Sequence, residues 1–141
     1  MSLPPLLSER PRATQILLAV VVPAVYGALT GIFLGVSEPI YLVLSIVGIL
    51  GGVGAGLDHM GAAAGASRGI LAGSLFGGSI LIAHELSGAE AEAHLPEPAI
   101  LLVVITTVLA IGLAAFGGWL RERGAGKGAV AEGPEMPGPL G

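Results

Sequence analysis

Long stretches without a charged residue constrain this chain more than any other feature. Residues 13–37, 39–57 and 98–120 contain no Asp, Glu, Lys or Arg, which makes runs of 25, 19 and 23 residues. A helix needs about 17–25 apolar residues to cross a hydrocarbon core about 30 Å thick. Each of the three runs is therefore long enough for one transmembrane helix.

A fourth apolar stretch lies between Arg68 and Glu85 and holds 16 residues. At about 1.5 Å per residue it covers roughly 24 Å, which is short of the hydrocarbon core. We expect the helix to begin before Arg68, near Ala62, with the Arg68 side chain extended toward the headgroups. The alternative is that residues 61–67 form a re-entrant or interfacial segment.

The composition argues against a soluble fold. Of 141 residues, 53% are hydrophobic and 11% are charged, against roughly 25% charged in a typical soluble domain. The net charge of −4 and the lack of a basic patch exclude a nucleic-acid partner, and the absence of cysteine excludes disulfides and cysteine–zinc sites. The sequence thus predicts an all-α, polytopic membrane protein whose partner is the lipid bilayer.

The predicted transmembrane domain covers residues 13–121, with four helices at about 14–36, 39–57, 64–85 and 98–120. Residues 1–12 and 122–141 are rich in Pro or Gly, and we expect both ends to be disordered. With four spans, all six basic residues fall on one side, while Glu38, Glu85, Glu90, Glu92 and Glu97 fall on the other. The positive-inside rule then predicts a multi-pass protein of the cell (cytoplasmic) membrane with both termini cytoplasmic.

Small residues recur at every fourth position, which places them on one face of each helix. Such Gly-xxx-Gly faces let two helix backbones approach closely, and this packing is a main source of helix association in lipid. We interpret the series as packing within one chain, with a homo-oligomer interface or a glycine-lined pore as alternatives. The predicted packing positions, called the glycine series below, are Gly27, Gly31, Gly35, Gly48, Gly52, Gly56, Gly65, Gly69, Gly73, Gly77 and Gly118.

Polar groups within the spans are few. Pro23 lies in the first span, where we expect a modest kink and a neighbour that satisfies the freed carbonyl group. Hydroxyl groups at Thr30, Ser74, Ser79 and Thr106 are candidates for a polar track, although such residues usually hydrogen-bond to backbone carbonyls or across helices. No Asp, Glu or Lys lies in the middle of a span, which argues against a proton-coupled pump.

The connections between spans hold the remaining ionisable side chains. His84, Glu90 and His94 in the acidic loop are candidates for a metal, but the spacing matches no metal-binding motif and predicts a solvated loop without one. On the other side, Asp58 is expected to cap the third helix or to pair with Arg68.

These observations favour a small non-catalytic membrane protein of accessory or structural type. It needs no cofactor, and its partner is another copy of itself or another membrane protein. The alternative is a homo-oligomeric passive channel or permease for a small solute or ion. An enzyme is not expected, since the spans contain no assembled acid, base and nucleophile.

Overall fold

The computed structural model describes residues 4–131, with side chains described to residue 128. It is all-helical, as predicted. A short 3-10 turn at Leu7–Glu9 precedes four long helices: α1 at Arg12–Leu34, α2 at Glu38–Leu57, α3 at Ala62–Ser87 and α4 at Ile100–Ala131. In this part of the chain, these four helices are long and apolar enough to cross a membrane.

The four helices run alternately up and down, and α3 makes the most extensive contacts with the rest of the bundle. Its most extensive contacts are with α4 and α1, while α2 packs mainly against α4. The contacts of α2 with α1 and with α3 are less extensive. Because the number of helices is even, the chain enters and leaves the bundle at the same end.

Local sequence signals set several helix ends. Pro39 lies in the first turn of α2, where a missing N–H costs nothing, and Glu38 places a carboxylate near the positive end of the helix. Gly88 ends α3 in the left-handed conformation at φ 64°, which glycine adopts without steric cost. Helix α3 is continuous from Ala62, so the re-entrant alternative for residues 61–67 is wrong.

The ends of the bundle contain more regular structure than the sequence predicts. The backbone N–H of Leu7 donates to the Asp58 carbonyl at 2.9 Å, and the Leu7 side chain is buried. Helix α4 continues through residues 122–131, which the sequence assigns to a disordered tail. The remaining parts of the predicted disordered ends, residues 1–3 and 132–141, lie outside the described residues.

Small residues line the interior of the bundle, and most large apolar side chains point outward. Val25, Ile82 and Val108 are each more than 60% exposed. The exception is a buried cluster near the end opposite the termini, which consists of Leu34, Tyr41, Phe76, Ile80 and Ala93. Ala93 belongs to the loop between α3 and α4, and the neighbouring Glu92 N–H donates to the Leu34 carbonyl at 2.9 Å. This loop therefore covers the helix ends on that side.

Candidate functional site

The backbones of α1 and α3 meet at two glycines. A Cβ atom added at Gly27 would collide with the carbonyl oxygen of Phe76, and one added at Gly31 would collide with that of Ile80. At neither position is there space for any side chain.

The contact between α3 and α4 uses four glycines along one face of α3. A Cβ at Gly69 would lie 2.6 Å from the Cα of Ile111, and one at Gly73 would lie 2.6 Å from the Cα of Thr107. Gly65 and Gly77 are equally close to Ala114 and Thr106. All four are thus against backbone or side-chain atoms of α4 in the same chain.

The other predicted packing glycines also face segments of the same chain. Gly56 lies against Ala114, Gly118 against Gly61, and Gly35 against Ala89 of the loop. Gly48 lies against the Phe76 ring, and Gly52 has a looser contact of 3.6 Å to Leu113. Gly61 itself adopts φ 89° and donates its N–H to the Gly118 carbonyl at 3.1 Å, so the α2–α3 connection is bound closely to α4.

A cavity of about 340 Å³ lies among the helices, in the half of the bundle nearest the termini. Its walls are mainly apolar, and its few polar side chains include Asp58, Arg68 and Thr106. Val22 of α1 and Val47 of α2 line it and are each about half exposed on the outer surface. The cavity wall on the α1 and α2 side thus includes partly exposed residues.

Arg68 is the one cation among the residues that line this cavity. It is 9% exposed, and its guanidinium group donates to the carbonyl oxygens of Leu18 at 2.6 Å and Ala19 at 3.3 Å. The expectation that Arg68 extends toward the headgroups is therefore wrong. Its side chain instead turns inward to α1, because carbonyl groups there lack donors.

Pro23 explains why those carbonyls are free. Proline has no N–H, so the Ala19 carbonyl lacks the donor that an α-helix would place four residues later. A π-helical turn at Leu17–Val21 also brings the Val22 N–H to the Leu17 carbonyl, which leaves the Leu18 carbonyl without that donor. Arg68 supplies N–H groups to both carbonyls.

The other charges at this end of the bundle are paired differently from the expectation. Asp58 forms an ion pair with Arg10 at 3.0 Å and does not cap α3, whose first flanking residue is Gly61. Arg68 has no carboxylate within 4.0 Å among the described residues. Arg121 donates to the Leu57 carbonyl at 2.7 Å and so satisfies a free group at the end of α2.

The four hydroxyl groups of the candidate polar track do not share one surface. Thr106 lines the cavity and lies 3.3 Å from the Gly73 carbonyl, whereas Thr30 is fully buried and donates to the Tyr26 carbonyl of its own helix. Ser74 is exposed and bonds the Ile70 carbonyl. Ser79 packs near Gly27, between α1 and α3. The cavity lining includes Thr106 but none of the other three.

The candidate metal ligands lie in and beside the outer loop. His84 is half-buried near Gly35, while Glu90 and His94 are exposed. Within residues 4–131, no three side chains of His, Cys, Asp or Glu come together in a geometry that could hold a metal.

No protein-family model, curated protein or solved structure matches the chain. The cavity and its buried arginine were not predicted from the sequence. One signal was available, since Arg68 is a lone charge inside a helical span and Pro23 creates a free carbonyl in another span. The register that brings the two together depends on the packing of α1 against α3, which a single sequence does not specify.

Proposed function

We propose that this chain is a non-catalytic integral membrane protein, an accessory or structural component whose four spans are held together by Gly-xxx-Gly packing. The observation that carries the proposal is the use of the whole glycine series for contacts within one chain. Most of the large apolar side chains of the four helices are exposed on the outer surface of the bundle.

The distribution of apolar side chains supports membrane insertion. In a soluble protein, exposed apolar patches of more than a few hundred Å² are rare, because each Å² of apolar surface left in water costs about 25 cal/mol. Here large apolar residues are exposed along all four helices. A bilayer removes that cost, since its lipid tails are as apolar as the side chains.

The distribution of charge supports one orientation. Arg10, Arg68 and Arg121 contact backbone or side chains at one end of the bundle, while the acidic loop covers the other end. By the positive-inside rule, the end with the termini faces the cytoplasm. We therefore propose a multi-pass protein of the cytoplasmic membrane with both termini inside.

The orientation can be measured directly because the chain has no cysteine. Ser8→Cys and Glu92→Cys each place one thiol at an exposed position, on opposite ends of the bundle. In intact cells of a bacterial host, a membrane-impermeant maleimide is expected to label the Glu92→Cys variant, and to label Ser8→Cys only after permeabilisation. The reverse pattern, or labelling of both in intact cells, would overturn the proposed topology.

A homo-oligomeric passive channel is the second candidate. One observation against a route through a single chain is the buried cluster around Phe76 and Ile80, which fills the half of the bundle beyond the cavity. Another is that Thr30 and Ser74 use their hydroxyl groups on carbonyls of their own helices. A channel would therefore require a pore between copies of the chain.

A flux assay separates the two candidates. The purified chain is reconstituted into liposomes with reporters for protons, potassium, chloride and a small neutral osmolyte, and its insertion is checked by labelling the Glu92→Cys variant. We expect flux equal to that of empty vesicles for every reporter. Flux that rises with the amount of inserted protein would contradict the accessory assignment and support the channel.

A further inference from the structure

We infer that the cavity among the four helices is a binding site for a single-chain amphiphile with an anionic headgroup, such as a fatty-acid carboxylate. The headgroup would meet Arg68, and the acyl chain would occupy the apolar part of the cavity.

The volume and shape of the cavity fit such a ligand. Sites for small molecules occupy roughly 300–1,000 Å³ and are mostly apolar with a few polar groups, and the 340 Å³ cavity lies at the lower end of that range. Tyr26, Val47 and Phe76 contribute to its wall. Val22 and Val47 line the cavity and are each about half exposed, so a lipid-like molecule would reach it from the bilayer without crossing water.

The charge in the cavity selects an anion. A guanidinium group carries five N–H bonds, and Arg68 uses one to each of the carbonyls of Leu18 and Ala19. Those carbonyls are neutral acceptors, and no carboxylate lies within 4.0 Å of Arg68 among the described residues. A buried cation without a directly paired carboxylate is costly in a medium of low dielectric constant. An anionic headgroup would supply both the missing charge and further acceptors.

Asp58 also lines the cavity and is near enough to attract Arg68 electrostatically, but it forms no ion pair with Arg68. Its carboxylate is 3.0 Å from the guanidinium group of Arg10, with which it forms an ion pair. The three side chains together carry one net positive charge. The chemistry at this end of the cavity thus favours an anion over a cation or a neutral headgroup.

Native mass spectrometry of the purified full chain in a non-ionic detergent tests the inference. The probes are dodecanoate, dodecanol and dodecyltrimethylammonium, which share one chain and differ in headgroup charge, and acetate, which has the headgroup without the chain. We expect a single dodecanoate adduct, at least about tenfold weaker binding of the other three probes, and at least about tenfold weaker binding of dodecanoate to Arg68→Gln.

A second pair of variants tests the cavity while keeping Arg68. Gly51 lines the cavity and Gly54 does not, and an added Cβ would meet no atom within 4 Å at either position. We expect Gly51→Leu to weaken dodecanoate binding and Gly54→Leu to leave it unchanged.

Four results would overturn the inference. The first is equal binding of dodecanoate and the alkylammonium. The second is equal binding by wild type and folded Arg68→Gln, and the third is equal binding by the Gly51→Leu and Gly54→Leu variants. If Arg68→Gln does not fold, two comparisons still test the inference. One compares Gly51→Leu with Gly54→Leu, and the other compares the probes with different headgroups. The fourth result, acetate binding as tight as dodecanoate, would show that a small anion occupies the site, which contradicts the amphiphile.

Discussion

Arg68 and Pro23 lie on different helices and act on the same carbonyl group. Pro23 removes the N–H that would bond the Ala19 carbonyl in an α-helix, and Arg68 brings a guanidinium nitrogen to within 3.3 Å of that oxygen. Arg68 also donates to the neighbouring Leu18 carbonyl, at a shorter distance of 2.6 Å. The helix interruption in α1 and the charge in α3 are therefore one structural unit.

Substitution of Arg68 is expected to reduce the unfolding free energy by less when Pro23 is also substituted. Arg68→Met leaves two carbonyls without donors and should destabilise the protein by about 1–3 kcal/mol. Pro23→Ala restores a backbone N–H in α1, so the same arginine substitution should cost less in that background. A double-mutant cycle, with unfolding free energies measured by steric trapping in detergent, gives the coupling. An equal cost in both backgrounds would show that Arg68 does not compensate for Pro23.

Alanine is expected to destabilise the protein at a glycine that is packed against another helix, but not at a glycine with free space around it. Gly69→Ala places a methyl group 2.6 Å from the Ile111 Cα, and overpacking of this kind should destabilise by about 1–3 kcal/mol. Gly112→Ala meets no atom within 4 Å, and should be neutral or stabilise by up to about 1 kcal/mol through helix propensity. Thermal unfolding of the two variants in the same detergent measures the difference. Similar shifts for both would indicate that the α3–α4 contact is not as close as described.

Two neighbouring arginines of α4 provide a further matched comparison. Arg121 is 9% exposed and donates to the Leu57 carbonyl, so Arg121→Gln should destabilise by about 1–3 kcal/mol. Arg123 is exposed, with its guanidinium carbon 4.2 Å from the centre of the Trp119 ring, and Arg123→Gln should cost at most about 1 kcal/mol. The measurement is again the unfolding free energy of each variant. A larger loss for Arg123→Gln would contradict the role of Arg121 in binding the end of α2.

Sequence reasoning predicted the helices better than it predicted the side-chain contacts. Charge-free length and hydropathy are local properties, so the positions of the four helices agree with the prediction to within a few residues apart from the extension of α4. The pairing of Arg68 with Leu18 and Ala19, and that of Asp58 with Arg10, depend on the register of helices packed against each other. A charged side chain can bind a carboxylate or a backbone carbonyl on any helix that packing brings near, and a pattern of residue types does not separate these alternatives.

The hydroxyl residues of the candidate polar track also show that sequence patterns do not predict side-chain contacts. Thr30, Ser74, Ser79 and Thr106 are hydroxyl residues in apolar spans, and the sequence alone does not tell a polar track from local hydrogen bonding. In the structure, the hydroxyl groups of Thr30 and Ser74 donate to carbonyls of their own helices. Of the four residues, only Thr106 lines the cavity. The cavity is lined on the α2 side by Gly51, Gly52 and Ala55, which have small side chains or none. Its volume depends on the distances between helices and not on any motif.

The central claim is that the close contact between α3 and α4 forms within one chain. The hydroxyl oxygens of Ser74 and Thr107 lie 3.3 Å apart across this contact, so cysteines at the two positions would be side by side if the contact forms within one chain. The double variant Ser74→Cys/Thr107→Cys, oxidised in the membrane, should yield a monomer whose two thiols are joined and no longer react with maleimide. A disulfide-linked dimer as the main product, or two thiols that remain reactive after oxidation, would contradict the claim.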